Sequence, residues 1–142
     1  MRSASVKLLP SLETLSAAGG ISRFTLDQAD LGQVLTARTG QTTVAGGAGD
    51  DVLRAHETGS TLRGGDGADV FLPEVVSGWV QIEDFTPGED PIDFSDLPGR
   101  GFGFDDLEIS RRPAGTWIDT GAGHLLLEDL RPGQIDADDF LF

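Results

Sequence analysis

The sequence predicts an all-β protein: a flattened coil of short strands followed by a small antiparallel β-sheet, with a short helix expected only at the N-terminus. Three observations predict it. One pattern occurs twice, eighteen residues apart, as Gly46-Gly47-Ala48-Gly49-Asp50-Asp51-Val52-Leu53 and Gly64-Gly65-Asp66-Gly67-Ala68-Asp69-Val70-Phe71. Twenty glycines among 142 residues, with no tyrosine, favour turns over long helices. Beyond Trp79, apolar and polar residues alternate in short runs, the mark of strands with one buried face.

Each copy of the repeat fits G-G-x-G-x-D-x-U-x, where U is a large apolar residue. Glycine lets the backbone enter φ > 0 without a Cβ clash, so three glycines in four positions can make a sharp turn with inward carbonyls. The apolar residue two places after the Asp then starts a short strand facing a core. A nine-residue unit is thus a turn plus a strand, and two units make one lap. Copies eighteen residues apart stack directly, at the roughly 4.7–4.9 Å spacing of neighbouring strands. Bare carboxylates of Asp51 and Asp69 at that distance would repel. A Ca²⁺ ion takes six to eight oxygens at about 2.3–2.6 Å, and twice that length approaches the stacking distance. Metal binding is therefore favoured over a bland pair of Gly/Asp turns.

Composition narrows the function classes. Twenty-four acidic against ten basic residues give a formal charge of −14. That argues against nucleic acid, where a basic face supplies the affinity, and against anionic membrane surfaces. It suits a cation binder whose unliganded chain repels itself. No cysteine is present, so an extracellular form would need a staple other than disulfides, and metal is the usual substitute. The N-terminal apolar run of Val6, Leu8 and Leu9 stops at Pro10, too short for an ordinary secretory signal. No apolar run reaches the length of a membrane span.

In chain order, residues 1–20 read as a leader or a capping helix, with Leu8, Leu12 and Leu15 on one face of a helix over Ser11–Ala18 and Gly19 ending it. Residues 21–78 are expected to form the coil. Strands are expected around Phe24–Leu26, Gln33–Thr36 and Thr42–Val44, with a turn over Arg38–Gln41. Residues 37–45 and 55–63 are degenerate units that keep Val44 and Leu62 as inward residues but lack the turn Asp. One edge of the coil therefore carries ion-binding turns and the other has lost them, so one well-formed calcium site is expected rather than a column.

Residues 79–142 are expected to form the C-terminal sheet. Trp79–Phe85 alternates as a strand, Thr86–Asp90 is a turn, and Ile92–Phe94 starts the next apolar segment. A loop over Pro98–Gly103 precedes strands at Leu107–Ser110, Thr116–Asp119 and His124–Leu127. The chain closes on Asp136-Ala137-Asp138-Asp139-Phe140-Leu141-Phe142, an acidic cluster and then apolar residues that can complete the sheet.

Catalytic patterns are absent from the sequence. His56-Glu57 lacks the second histidine that a zinc-protease helix requires four residues on; Ser60 stands there. His124 stands alone in a strand. There is no Ser-His-Asp order with local context and no phosphate loop, and carboxylate pairs in so acidic a chain cannot by themselves support glycosidase chemistry. The expectation is a protein that is not an enzyme.

With these residues in view, the chain from roughly Val44 to Phe142, and weakly back to about Leu31, resembles the C-terminal part of repeats-in-toxin (haemolysin-type) calcium-binding proteins. Besides the two repeats, Ile82-Glu83-Asp84-Phe85-Thr86-Pro87-Gly88-Glu89-Asp90-Pro91-Ile92-Asp93 is similar to the family's I-x-D-F-x-x-G-x-D-x-I-D segment. The ending Asp138-Asp139-Phe140-Leu141-Phe142 resembles the tail of substrates of type I secretion, which leave Gram-negative bacteria without a cleaved N-terminal signal. The resemblance implies a right-handed parallel β-roll followed by a small antiparallel sheet, with calcium held between turns one lap apart. Carried over residue by residue, it implies carboxylates from Asp51 and Asp69. Main-chain oxygens would come from Gly46 and Ala48 of one copy and Gly65 and Gly67 of the other, with the phase between copies left open. Val80 stands where the family often has Asp, and Pro91 where it often has a basic residue, which puts a second site using Asp84 in doubt.

Three functions compete. The preferred one is a secreted module, extracellular and partnered by calcium and the type I secretion machinery, that folds when calcium is met outside. The second is a surface-structural or adhesive protein that self-associates. The third is the accessory domain of a secreted enzyme or toxin; the roughly thirty residues ahead of the region of resemblance are too few for a catalytic domain.

Overall fold

The computed structural model describes the strands Ser3–Val6, Thr14–Ala17, Arg23–Leu26 and Val34–Ala37 and residues 43–56, 58–74, 78–97 and 102–142. Glu57, the turn over 38–41 and most of the loop over 98–103 lie outside the described residues. The strands are short, two to seven residues each: β1 (Ser3–Val6), β2 (Thr14–Ala17), β3 (Arg23–Leu26), β4 (Val34–Ala37), β5 (Thr43–Ala48), β6 (Val52–Ala55), β7 (Ser60–Asp66), β8 (Val70–Pro73), β9 (Trp79–Ile82), β10 (Ile92–Asp93), β11 (Glu108–Arg112), β12 (Gly115–Asp119), β13 (His124–Glu128) and β14 (Phe140–Leu141). Among the described residues the helical elements are three-residue 3₁₀ turns. The protein is all-β.

Up to β10, each strand lies in the opposite sheet from the one before it. Among the described residues, the odd-numbered strands up to β9 join β11, β12 and β13 in an eight-stranded sheet in the order β1-β3-β5-β7-β9-β13-β12-β11, and the even-numbered strands up to β10 join β14 in a six-stranded sheet in the order β14-β10-β8-β6-β4-β2. Neighbours one lap apart run parallel. Because alternate residues of a strand face opposite ways, this register turns isolated apolar residues into columns. Val44, Leu62, Ile82 and Leu127 are successive partners in one sheet. Leu35, Leu53, Phe71, Ile92 and Phe140 are successive partners in the other. All nine are buried and belong to one apolar cluster. At about 1.5–3 kcal/mol for a fully buried side chain of this size, the two columns outweigh any single turn in holding the sheets.

Three expectations are corrected. The helix over Ser11–Ala18 is not formed: Thr14–Ala17 is a strand, paired parallel with Val34–Ala37. An isolated helix of eight residues is marginal in water, whereas a four-residue strand on this edge pairs along its whole length. The antiparallel strands, in turn, are not a separate small sheet. β11, β12 and β13 pair antiparallel as expected, but β13 also pairs parallel with β9, making the eight-stranded sheet mixed. Leu125 and Leu127 extend the apolar rows of Val80 and Ile82, so joining that edge buries more than a free-standing meander could. The chain's end does form a last strand, but in the other sheet: Phe140–Leu141 pairs parallel with Ile92–Asp93 and closes the six-stranded sheet, not the one holding the antiparallel strands.

Candidate functional site

The two glycine turns connect the eight-stranded sheet to the six-stranded one, and their lack of side chains has two separate causes. Gly47 and Gly49 of the first turn and Gly65 and Gly67 of the second have φ of 113°, 100°, 105° and 130°, a region that L-residues rarely enter. Gly46 and Gly64 are not left-handed. A Cβ at Gly46 would overlap the Oδ2 of Asp51, and a Cβ at Gly64 the Oδ2 of Asp69. Each aspartate therefore folds back beneath the first glycine of its own repeat, and the G-G-x-G-x-D spacing is the condition for that fit.

The two turns stack in register, Gly47 opposite Gly65 and Ala48 opposite Asp66. Asp51 and Asp69, each 1% exposed, meet directly: the main-chain N–H of Asp51 donates to Asp69 Oδ1 at 2.8 Å. The same contact recurs one lap further, where the N–H of Asp69 donates to Asp90 Oδ1 at 3.0 Å and that of Thr86 to Asp90 Oδ2 at 2.8 Å. Asp139 continues the row, accepting from Gly88 at 2.7 Å and from Asp136 at 2.9 Å. All four carboxylates are buried. On the approach to the turns, Asp84 accepts from Gly64 and Gly65, both at 2.9 Å, and Asp50 from Ala68 at 2.9 Å.

Burial pushes the Asp69 carboxyl up to about 6, against the N–H of Asp51 that favours its charge and with Asp90, Asp84 and Asp50 adding repulsion. Asp90 is raised by the same desolvation, opposed by the N–H groups of Asp69 and Thr86 and reinforced by Asp84 and Glu89. Asp69 Oδ2 is buried and accepts no hydrogen bond, a costly state for a carboxylate oxygen. Among the described residues, the basic side chains that contact a carboxylate are Arg54, Arg63, His56 and His124, and none reaches Asp69 or Asp90.

The sequence-predicted ligands are thus partly brought together. Asp51 and Asp69 are linked by one hydrogen bond, Gly46 lies over Asp51, and Gly65 and Gly67 lie beside the carbonyl oxygens of Gly47 and Gly49. The carbonyl of Gly64 likewise approaches Gly46. Among the described residues, no three Asp, Glu, His or Cys side chains converge as a metal-holding group. A hard cation that draws on main-chain carbonyls needs no such group. The donor set here is all oxygen, which suits calcium or magnesium better than zinc or copper.

The opposite edge of the two sheets is built differently. Thr58 Oγ1 accepts from the N–H of Trp79 at 3.0 Å. Glu74 pairs with Arg54 at 3.2 Å, and its other carboxylate oxygen meets His56 Nδ1.

Asp90 and Asp139 lie in motifs legible in the sequence, but not among the expected ligands. A signal for Asp90 exists: Asp90-Pro91-Ile92 repeats the Asp-x-apolar order of Asp51-Val52-Leu53 and Asp69-Val70-Phe71. The lap leading to it is twenty-one residues instead of eighteen, which hides the period. No protein-family model matches the chain, and no curated protein matches it.

Proposed function

We propose that this chain is a calcium-binding module of the repeats-in-toxin kind: a right-handed parallel β-roll, exported by type I secretion, that folds when calcium is bound outside the cell. The observation that carries the reading is Asp69 Oδ2, a buried carboxylate oxygen without a hydrogen-bond donor, in a row of carboxylates. A bound calcium ion would supply the positive charge such an oxygen calls for. Asp51 and Asp69 would hold it, with main-chain oxygens of Gly46, Ala48, Gly65 and Gly67. Ligands gathered only by stacked turns are scattered in the unfolded chain, so binding free energy becomes folding free energy. A site of extracellular-range affinity, about 10⁻⁴–10⁻³ M, stays empty in the cytosol and fills on export. The protein acts by binding and folding, with no catalytic step. Isothermal titration with calcium, alongside far-ultraviolet circular dichroism in excess chelator, tests it. A gain of β-signal with calcium is expected; no heat of binding and an unchanged spectrum would overturn the reading.

A further inference from the structure

Strand β11 ends the eight-stranded sheet: it pairs with β12 on one side, and among the described residues no strand pairs with the other. Four of its five residues, Glu108, Ser110, Arg111 and Arg112, are exposed. The hairpin that follows sets which main-chain groups face that free edge. The N–H of Asp129 donates to the carbonyl of Ala114 at 2.9 Å, and main-chain groups alternate sides along an antiparallel strand. Thr116 and Ile118 therefore bond toward β13, while Gly115, Trp117 and Asp119 bond toward β11. On β11 their partners are Arg112, Ser110 and Glu108. The N–H and C=O groups of Ile109 and Arg111 point the other way, to the free edge.

The side chains of this edge carry both signs of charge. Glu108, Ser110 and Arg112 share the outward face of the sheet with Asp119 and Trp117, and Ile109 and Arg111 share the inward face with Ile118 and Thr116. Among the described residues, neither Glu108 nor Arg112 is in an ion pair. Glu108 stands directly opposite Asp119, a like-charge juxtaposition that destabilises a sheet. The Arg112 guanidinium lies 5.7 Å from the centroid of the Trp117 ring, a stacking that leaves its fork of N–H donors open to a carboxylate. Edge strands are commonly blunted against pairing by charge. This one instead carries a carboxylate at one end and a guanidinium at the other.

We infer that β11 is the contact surface of a symmetric dimer, pairing antiparallel with β11 of a second copy about a two-fold axis at Ser110. In that register Glu108 meets Arg112 of the second copy, and Arg112 meets its Glu108, both on the outward face. Ile109 meets Arg111 of the second copy, whose aliphatic stem covers it, and their free main-chain groups form hydrogen-bonded pairs. The occupant is a second copy because Glu108-Ile109-Ser110-Arg111-Arg112 is complementary to itself, as a two-fold contact requires. A slip of one residue sets outward side chains against inward ones. A slip of two parts both Glu108–Arg112 pairs, and in one direction it sets Arg111 against its own copy. The net charge of −14 does not forbid the contact, because at physiological salt the field decays over about 8 Å and the pairs at the edge decide. A five-residue pairing belongs to the small, transient class of interface, under about 1,200 Å², so the dimer depends on concentration.

The test is analytical ultracentrifugation of the full chain in calcium at physiological salt, from about 10 µM to about 1 mM. Circular dichroism establishes that each variant is folded. The parent should pass from monomer toward dimer across this range. Glu108→Arg alone and Arg112→Glu alone set like charges against each other and should weaken the dimer roughly tenfold or more. An equimolar mixture of those two variants should associate about as well as the parent, since each supplies the charge that the other lacks. Glu108→Arg/Arg112→Glu in one chain, which keeps the parent's net charge, should do the same alone. A parent that stays monomeric throughout overturns the inference. A dimer indifferent to the single substitutions overturns it too, by placing the contact on another edge. Single variants that stay monomeric when mixed, beside a double variant that does not recover, overturn the register at Ser110.

Discussion

The main-chain N–H of Asp51 donates to the carboxylate of Asp69, 2.8 Å away and eighteen residues later in the chain. One lap's carboxylate thus receives the backbone of the lap before it, and Asp90 does the same for Asp69. The row holds the turns in register and gathers negative charge where water does not reach. Its energetic sign depends on what neutralises that charge.

Replacing Asp69 by Asn separates the two effects. The amide retains an oxygen for the Asp51 N–H and removes the buried charge. In chelator at neutral pH, Asp69→Asn should shift the folding equilibrium toward the folded state by roughly 1–3 kcal/mol relative to the parent, read as β-signal by circular dichroism. In calcium the order should reverse, with affinity down at least about tenfold, the loss of one charged ligand. A variant less stable in chelator would show that the carboxylate is satisfied without an ion.

The pH dependence of the calcium-free protein follows from the same group. Its carboxyl is raised from 3.8 to about 6 in the folded state. Its contribution to stability is therefore fully present below the unfolded value and lost as pH rises through about 6. The loss is on the order of 3 kcal/mol, and Asp90 shifts in the same direction. Urea midpoints in chelator should fall between pH 5 and neutrality, and Asp69→Asn should flatten that slope. A midpoint that climbs over this range would contradict the burial of these carboxylates.

Gly46→Ala and Gly64→Ala place a methyl group where the Oδ2 of Asp51 and of Asp69 lies. Both should expel the carboxylate from its turn, lowering calcium affinity at least about tenfold and costing about 1–3 kcal/mol as for overpacked sites. Gly133→Ala, with nothing within 4 Å and no left-handed φ, is the matched control and should be near neutral. Calorimetry and thermal melts of the three read both quantities.

Phe71 is fully buried in the column that joins Leu53 to Ile92. Phe71→Ala should cost about 3–5 kcal/mol, a large share of the 5–15 kcal/mol typical of a domain. In calcium the variant should keep only part of the parental circular-dichroism β-signal and melt at a lower temperature. A calcium-bound variant with parental melting would show that the core does not depend on this column.

Much of the coil was legible because its period is short and its signals are local. Two glycine turns eighteen residues apart, each ending in Asp-x-apolar, determined that the protein is all-β, that Leu53 and Phe71 face inward and that Asp51 and Asp69 come together. Tertiary structure alone decided three things. Thr14–Ala17 became a strand because the edge of Val34–Ala37 was there to pair with, overriding a leucine spacing that also fits a helix. The antiparallel strands joined the main sheet because Trp79–Ile82 offered a free edge whose buried Val80 and Ile82 matched Leu125 and Leu127. Asp90 entered the carboxylate row through a longer lap that breaks the period, and Asp139 from beyond the antiparallel strands, 51 residues after Gly88. Spacing along a chain reports which way a side chain points; which strand lies alongside depends on contacts between residues far apart in sequence, and no local pattern carries them.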